Sequence, residues 1–159
     1  MQSITPFLWF DHQAEEAANF YVSLFENSKI TDVSRYGEAG PGKPGSVMTI
    51  EFEIAGQEFV ALNGGPVEGF TFSPATSFSV SCETQEEVDR LWDALSEGGQ
   101  THQCAWLNDK FGVTWQIVPT ALPRLLGDPD REKAQRVMKA MLQMTKIDIA
   151  GLQRAYDGD

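Results

Sequence analysis

The order of predicted elements in the first half of this chain recurs in the second half, and this repeat constrains the fold more than any other feature. Each half begins with a short strand, continues with an amphipathic helix and ends with three further strands. The first half has strands at 4–10, 29–36, 47–54 and 58–62 around a helix at 14–25, and the second has strands at 77–81, 101–106, 111–114 and 115–118 around a helix that follows Thr84. Since one β-α-β-β-β unit cannot bury its hydrophobic face alone, the repeat predicts two units side by side.

The expected fold is of the α+β class: two β-α-β-β-β modules that form a cupped mixed β-sheet, followed by a C-terminal helical tail. At 159 residues the chain is long enough for one domain with a substantial core. We predict a single domain over 1–159, with module one at 1–63, a linker rich in Gly, Pro and Ser at 64–76, module two at 77–119 and the tail at 120–159.

Local signals indicate where the helices begin. Asp11 is a candidate cap for the first helix, and Thr84 with Glu87 three residues later forms a capping box for the second. In the tail, the pair Asp128-Pro129 favours a helix start, and Asp148 favours a last short helix.

The net charge of −11 excludes some classes of partner. Non-specific nucleic-acid binding depends on Lys and Arg that neutralise phosphates, so we expect no nucleic-acid partner, and an acidic surface also disfavours anionic membranes. No apolar run approaches the roughly 18 residues that a membrane span needs. The first residues show no basic and apolar signal pattern, so we expect a cytoplasmic protein.

Two cysteines and two histidines offer one local candidate for a catalytic thiol. Cys82 and Cys104 are expected to be reduced. Cys104 and His102 are two positions apart, and residues at that spacing share a face of a strand. His102 could therefore act as the base that activates the Cys104 thiol. The alternative is that both cysteines fill the core and that His102 lies at the surface.

The segment 104–119 is typical of a β-hairpin, with its connection at 108–112. It contains Trp106, Trp115 and the amide side chain of Gln116. Indole rings on strands favour a buried or ligand-lining position over exposure to solvent.

Four segments carry a resemblance to a known family: PFLWFD at 6–11, AEEAANFYVSLF at 14–25, CETQEEVDRLW at 82–92 and CAWLNDKFGVTWQIVP at 104–119. Together they resemble the PhnB-like family, whose members are often labelled 3-demethylubiquinone-9 3-methyltransferase. That family lies in the glyoxalase/bleomycin-resistance/extradiol-dioxygenase superfamily, also called vicinal oxygen chelate. The resemblance covers residues 4–156 and implies paired modules whose strands form a U-shaped cup, as well as a homodimer. The chain departs from it at Ala105, where the family commonly has glycine.

The chain offers few ligands for the metal that some members of this superfamily hold. Those members use His, Glu or Gln on the first and last strands of each module, and a divalent ion needs several converging donors. The corresponding strands here supply mostly hydroxyl and apolar groups, with Gln116 as the best donor. We therefore predict no metal and no cofactor.

The methyltransferase label meets a further difficulty. A Rossmann-type site for S-adenosylmethionine needs a Gly-rich turn between a strand and a helix. The glycines at 37–45 connect one predicted strand to another, so they do not form such a turn.

We predict that the cup binds a small molecule without a metal. Aromatic walls with a few fixed polar groups are what such a pocket requires, and the candidate lining residues are Trp9, Phe59, Asn63, Trp106, Trp115 and Gln116. Alternatively, these aromatic side chains are ordinary core. Two enzymatic alternatives remain open: a lyase or isomerase of the superfamily, and the methyltransferase of the family label.

Four acidic residues outside this set lie on predicted strands or in a predicted turn. Glu51 and Glu53 are expected on a solvated face of their strand, and Asp109 is expected in a turn. Glu58 faces the cup only if the predicted register holds, since a shift of one residue reverses every side chain.

Overall fold

Two four-stranded sheets with the same strand order organise the protein. The computed structural model describes residues 1–159 and divides into a first unit, Met1–Phe70, and a second unit, Thr71–Asp159. The first unit contains β1 (Phe7–Phe10), α1 (Ala14–Leu24), β2 (Lys29–Arg35), β3 (Val47–Ile54) and β4 (Gln57–Asn63). The second contains β5 (Phe78–Cys82), α2 (Gln85–Ser96), β6 (Gln100–Thr101), β7 (Trp106–Asn108), β8 (Thr114–Pro119), α3 (Ala121–Leu126), α4 (Arg131–Leu142) and α5 (Ile149–Asp157).

Both sheets are mixed. Their strand orders are β1-β4-β3-β2 and β5-β8-β7-β6, and in each the first strand pairs in parallel with the last strand of its module. This confirms the predicted α+β class, the two β-α-β-β-β modules and the helical tail. The predicted strand at 111–114 is wrong, because residues 109–113 form a loop and β8 begins only at Thr114. The predicted strand at 101–106 is not continuous, because β6 ends at Thr101 and β7 begins only at Trp106.

In the first unit, α1 packs on one face of the sheet. Phe52 and Phe59 are cross-strand partners with stacked rings 5.5 Å apart, and the ring of Tyr21 on α1 lies 6.3 Å from that of Phe52. Because side chains alternate along a strand, the neighbouring residues point away from α1. We call that side the distal face of the first sheet; it carries Phe7, Trp9, Glu51, Glu53, Glu58 and Val60.

In the second unit, α2 covers one face of its sheet in the same way. Its buried stripe is formed by Val88, Leu91, Trp92 and Leu95. Along β5, Ser79 and Ser81 are exposed and Cys82 is buried, so Cys82 points toward α2. The opposite side is the distal face of the second sheet, and it carries Ser79, Trp106, Asn108, Thr114 and Gln116.

The tail packs against its own unit. Its core is formed by Leu122, Leu125, Val137, Ile147 and Leu152 together with Ala105 from the loop before β7. Gln85 on α2 ties down the approach to α5, because its amide donates to the Ile147 carbonyl at 2.9 Å and accepts from the Ile149 N–H at 2.8 Å. No helix of the structure has the length and apolar character needed to span a bilayer.

The helix starts agree only in part with the sequence. The capping box of α2 is confirmed: the Thr84 hydroxyl accepts from the Glu87 N–H at 3.2 Å, and the Glu87 carboxylate accepts from the Glu83 N–H at 2.9 Å. The prediction of Asp11 as the cap of α1 is wrong, because that helix begins at Ala14, two residues beyond the reach of a cap at Asp11. In the tail, Asp130 and not Asp128 caps α4.

Candidate functional site

The strand register distributes the predicted pocket residues over both faces of the two sheets. Trp9 pairs with Leu62 on the distal face of the first sheet, whereas Phe59 and Asn63 share the face that bears α1. In the second sheet, Trp106 and Gln116 are direct partners on the distal face, whereas Trp115 pairs with Phe78 on the face toward α2. The six residues are therefore not brought together within either unit.

Trp9 is held in a fixed position on the distal face. Its indole N–H donates to the Gly65 carbonyl at 3.0 Å, and its ring meets that of Phe70 edge-on, with centroids 4.9 Å apart. A side chain at position 64 would lie 2.1 Å from the indole, so the backbone of Gly64 passes directly against the ring. This half-buried ring offers a rigid aromatic wall.

The side chain of Asn63 makes structural hydrogen bonds within the first unit and does not lie on the distal face. Its side-chain oxygen accepts from the Ala14 N–H at 2.8 Å, which caps α1, and its amide N–H donates to the Val47 carbonyl at 3.2 Å. The Tyr36 hydroxyl donates to the backbone carbonyl of Asn63. All three contacts join parts of the first unit that are distant in sequence, so no local pattern could have indicated them.

Trp115 belongs to the core. Its side chain is buried, and its indole N–H donates to an Asp109 carboxylate oxygen at 2.9 Å. The other oxygen of Asp109 accepts from the N–H groups of Phe111 and Val113, at 2.9 and 3.0 Å. Asp109 is thus a buried acceptor that organises the loop between β7 and β8. Its position in a turn was predicted, but its burial was not.

Gln116 and Trp106 lie beside a hydrogen-bonded polar network on the distal face of the second sheet. Gln116 donates to the Ser77 hydroxyl at 2.9 Å. Nearby, the Asn108 amide donates to the Gly112 carbonyl at 3.3 Å and to the Thr114 hydroxyl at 3.2 Å, so its oxygen faces the Nε2 of His102. Because that oxygen can only accept, the Nε2 of His102 carries a hydrogen and donates it to Asn108.

The two cysteines occupy different settings, and neither is joined to a histidine. The Cys104 thiol donates to the Met141 carbonyl at 3.7 Å, whereas His102 contacts Asn108. Burial raises the pKa of the Cys82 thiol to about 11, with a smaller contribution in the same direction from the charge of Glu87. A thiol in that state is a poor nucleophile at neutral pH.

Two cavities lie in the first unit. One, which we call the sheet-face cleft, has a volume of about 260 Å³; it is lined by Thr5, Phe7, Thr31, Glu51, Phe52, Glu58, Phe59 and Val60. Of the predicted pocket residues it includes Phe59, and it also includes Glu58, which the register places on the distal face. Glu51 was expected on a solvated face, and the structure shows it exposed to solvent at this cleft.

The other cavity, which we call the strand-end pocket, has a volume of about 390 Å³. It lies where β1 and β4 end, between the start of α1 and the loop that follows β2. Asp11, Glu15, Tyr36, Lys43 and Asn63 are among its lining residues. The sequence did not indicate this pocket, because it joins segments that no motif connects. No group of three or more His, Cys, Asp and Glu side chains in the structure could hold a metal ion.

Comparison with known proteins connects this architecture to a family. Residues 2–118 match the model of a family described as 3-demethylubiquinone-9 3-methyltransferase. A structure from Bacillus cereus, described as a putative 3-demethylubiquinone-9 3-methyltransferase and PhnB protein, is 44% identical with a TM-score of 0.69, and the match covers 75% of this chain and 100% of that one.

Other solved structures match at lower identity. A protein from Pseudomonas aeruginosa shares the fold at 21% identity and a TM-score of 0.61, with 75% of this chain and 98% of that chain covered. A glyoxalase/bleomycin resistance protein from Albidiferax ferrireducens is 15% identical with a TM-score of 0.46, over 72% of this chain and 95% of that one. No curated protein matches the sequence.

Proposed function

This chain belongs to the 3-demethylubiquinone-9 3-methyltransferase family of PhnB-like proteins, and we propose that it binds a small molecule that combines an apolar or aromatic part with a positive charge. The proposed site is the sheet-face cleft of the first unit, and binding there uses no metal. The observation that supports it is the presence of Glu51 and Glu58 beside Phe7 and Val60 in one cleft.

The strand register explains why these groups lie together. Phe7 on β1, Val60 on β4 and Glu51 on β3 form one row of cross-strand partners on the distal face. Neighbouring strands are about 4.8 Å apart, so the row presents a ring, an aliphatic group and a carboxylate within the span of a small ligand. Phe7 is 63% exposed and available for contact.

The charge of the cleft selects the class of ligand. Ionised carboxylates only accept hydrogen bonds, and a cation or an ammonium group satisfies two of them better than a neutral molecule does. The net charge of −11 attracts cations to the protein as well. Apolar walls with a few placed polar groups are the usual composition of a ligand pocket.

Calorimetry with phenethylamine and its neutral analogue 2-phenylethanol tests the proposal. We expect the amine to bind about threefold more tightly or better, since an ion pair with an exposed carboxylate contributes roughly 0.2–1 kcal/mol and the cleft offers two. The double variant Glu51→Gln/Glu58→Gln should lose this preference. Glu53→Gln is the matched control, because Glu53 lies on the same face but outside the cleft and within 4.0 Å of Lys29. Equal binding of the amine and the alcohol would contradict the proposal.

The family description favours a second candidate, a methyltransferase. S-adenosylmethionine carries a sulfonium cation, which the two carboxylates of the cleft would also attract. Calorimetric binding of S-adenosylmethionine, followed by transfer of its labelled methyl group to a phenolic acceptor, would support this candidate. Turnover without S-adenosylmethionine would instead indicate a lyase or isomerase.

The proposal also includes a homodimer in the cytoplasm. The homodimer is proposed from the family resemblance. Sedimentation at micromolar concentration should give twice the mass of the chain, and a monomer at that concentration would contradict the expectation.

A further inference from the structure

We propose that the strand-end pocket is a second binding site, separate from the sheet-face cleft, and that it takes a small zwitterion with an amine and a carboxylate. The pocket has a volume of about 390 Å³, and two different elements form its walls. Residues before and within the first turn of α1 form one wall, and the loop between β2 and β3 forms the other.

The wall at α1 carries two carboxylates on a fixed backbone. Asp11 precedes the helix and Glu15 lies in its first turn, and both line the pocket. The Gly65 N–H donates to the Asp11 carbonyl at 3.2 Å, and the side chain of Asn63 holds the Ala14 N–H at 2.8 Å. These bonds tie the wall to the end of β4.

The wall formed by the loop carries Lys43 and is also well anchored. The Gly45 N–H donates to the Tyr36 carbonyl at 2.8 Å, and the Ser46 hydroxyl donates to the Lys43 carbonyl at 2.5 Å. A side chain at position 42 would lie 2.3 Å from the Tyr36 ring, so the loop packs directly on this buried ring and only glycine fits there. The loop is therefore a built wall of the pocket.

The two walls have opposite charge and are not joined. Lys43 forms no ion pair with Asp11 or Glu15, although all three line the same pocket. All three side chains are exposed, so a ligand with a single charge would pair with one wall and leave the other to water. A zwitterion satisfies both, because its amine meets the carboxylates and its carboxylate meets the ammonium group of Lys43.

This pocket and the sheet-face cleft share no lining residue. The cleft runs along the row of Phe7, Val60 and Glu51 in the middle of the strands, whereas the pocket includes Asn63 at the end of β4. The two sites can thus be tested independently.

The experiment uses the full chain and a series of linear ω-amino carboxylates from β-alanine to 6-aminohexanoate. Each is compared by calorimetry with the alkylamine and the carboxylate of the same length. We expect at least one zwitterion to bind about tenfold more tightly than both of its singly charged analogues. Lys43→Gln and the double variant Asp11→Asn/Glu15→Gln should each weaken that binding by about tenfold.

Two control measurements assign the binding to the strand-end pocket. Glu16→Gln changes the neighbouring carboxylate in the same helical turn, outside the pocket, and should leave zwitterion binding unchanged. Lys43→Gln should leave the preference for phenethylamine over 2-phenylethanol unchanged, because that preference reports on the cleft. The proposal is overturned if no zwitterion binds more tightly than about 10 mM, if the singly charged analogues bind equally well, or if Lys43→Gln has no effect.

Discussion

Helices α1 and α2 hold equivalent places in the two modules, but they begin in different ways. The first N–H of α1 is capped by Asn63, which lies 49 residues away at the end of β4. The start of α2 is capped by Thr84 and Glu87, which are three residues apart. The same strand order can thus be reached with a long-range cap in one module and a local cap in the other.

The connections before the last strands of the two modules also differ, in this case in length. Between β3 and β4, a tight turn places Ala55 and Gly56 at φ values of +49° and +83°. Between β7 and β8, a longer loop folds around the buried carboxylate of Asp109. The two cavities described above both lie in the first unit, whereas on the distal face of the second sheet the polar side chains bond to one another.

The largest effect that tests this comparison is expected at Asp109. Asp109→Ala removes the acceptor of three N–H groups, including the buried ones of Val113 and Trp115. An unsatisfied buried donor costs about 1–3 kcal/mol, so we expect the free energy of unfolding to fall by roughly 3–5 kcal/mol. Urea unfolding measures it. Asp109→Asn keeps one oxygen and should lose less; an unchanged midpoint for Asp109→Ala would show that the loop does not depend on this carboxylate.

The two helix caps give the next largest effects. Asn63→Ala removes two hydrogen bonds, to Ala14 and to Val47, and should cost about 2–3 kcal/mol. Thr84→Ala removes a local cap and should cost about 1 kcal/mol. Asn63→Asp keeps an oxygen for the Ala14 N–H and serves as the control. If thermal unfolding showed that Thr84→Ala lowers stability more than Asn63→Ala does, the expectation that the long-range cap contributes more than the local cap would be wrong.

The sequence predicted those parts of the fold that depend on neighbouring residues. Hydrophobic periodicity gave the two modules, and the capping box of α2 is contained in four residues. Asp11 is the nearest residue of a capping type before α1, whereas the true partner of Ala14 comes from β4. The candidate site was harder to predict, because a shift of one residue in the register of a strand moves each of its side chains to the other face. The sequence alone does not show that Trp9 on β1 lies on the distal face and Phe59 on β4 on the face of α1.

Left-handed backbone conformations offer a smaller test. Ala55 and Ala105 have φ values of +49° and +79°, which cost an alanine roughly 1–2 kcal/mol each. Glycine, which the family resemblance implies at position 105, adopts such φ values without this cost. Ala55→Gly should stabilise the protein by about 0.5–1 kcal/mol, because the relief exceeds the entropy that glycine loses on folding.

Ala105→Gly should change stability less, by under about 0.5 kcal/mol. Its methyl group is buried in the core of the tail, and removal costs roughly 0.8 kcal/mol. Urea midpoints of the two variants measure the difference between the turn of the first unit and the loop of the second. A larger gain at Ala105 than at Ala55 would mean that this methyl group contributes little to the tail.

The smallest effect is expected in the tail, at the contact between Tyr156 and Asp128. The Asp130 N–H and then the Tyr156 hydroxyl, which donates at 2.8 Å, hold the pKa of the Asp128 carboxyl below its ordinary value. A carboxyl with a lowered pKa contributes stability above its unfolded pKa of about 3.9, and this stability is lost as the pH falls through the folded pKa.

The same hydrogen bond raises the pKa of the Tyr156 hydroxyl. The stability that this hydroxyl contributes is therefore present below about pH 10 and is lost as the pH rises through the folded pKa. Tyr156→Phe retains the aromatic ring, which lies 4.9 Å from the Lys133 ammonium group, and removes the hydroxyl. It should flatten the alkaline limb of the stability–pH curve and only part of the acid limb, because the Asp130 N–H still bonds to Asp128. Urea midpoints of wild type and variant that fall in parallel at both extremes of pH would show that this hydrogen bond does not couple the tail to pH.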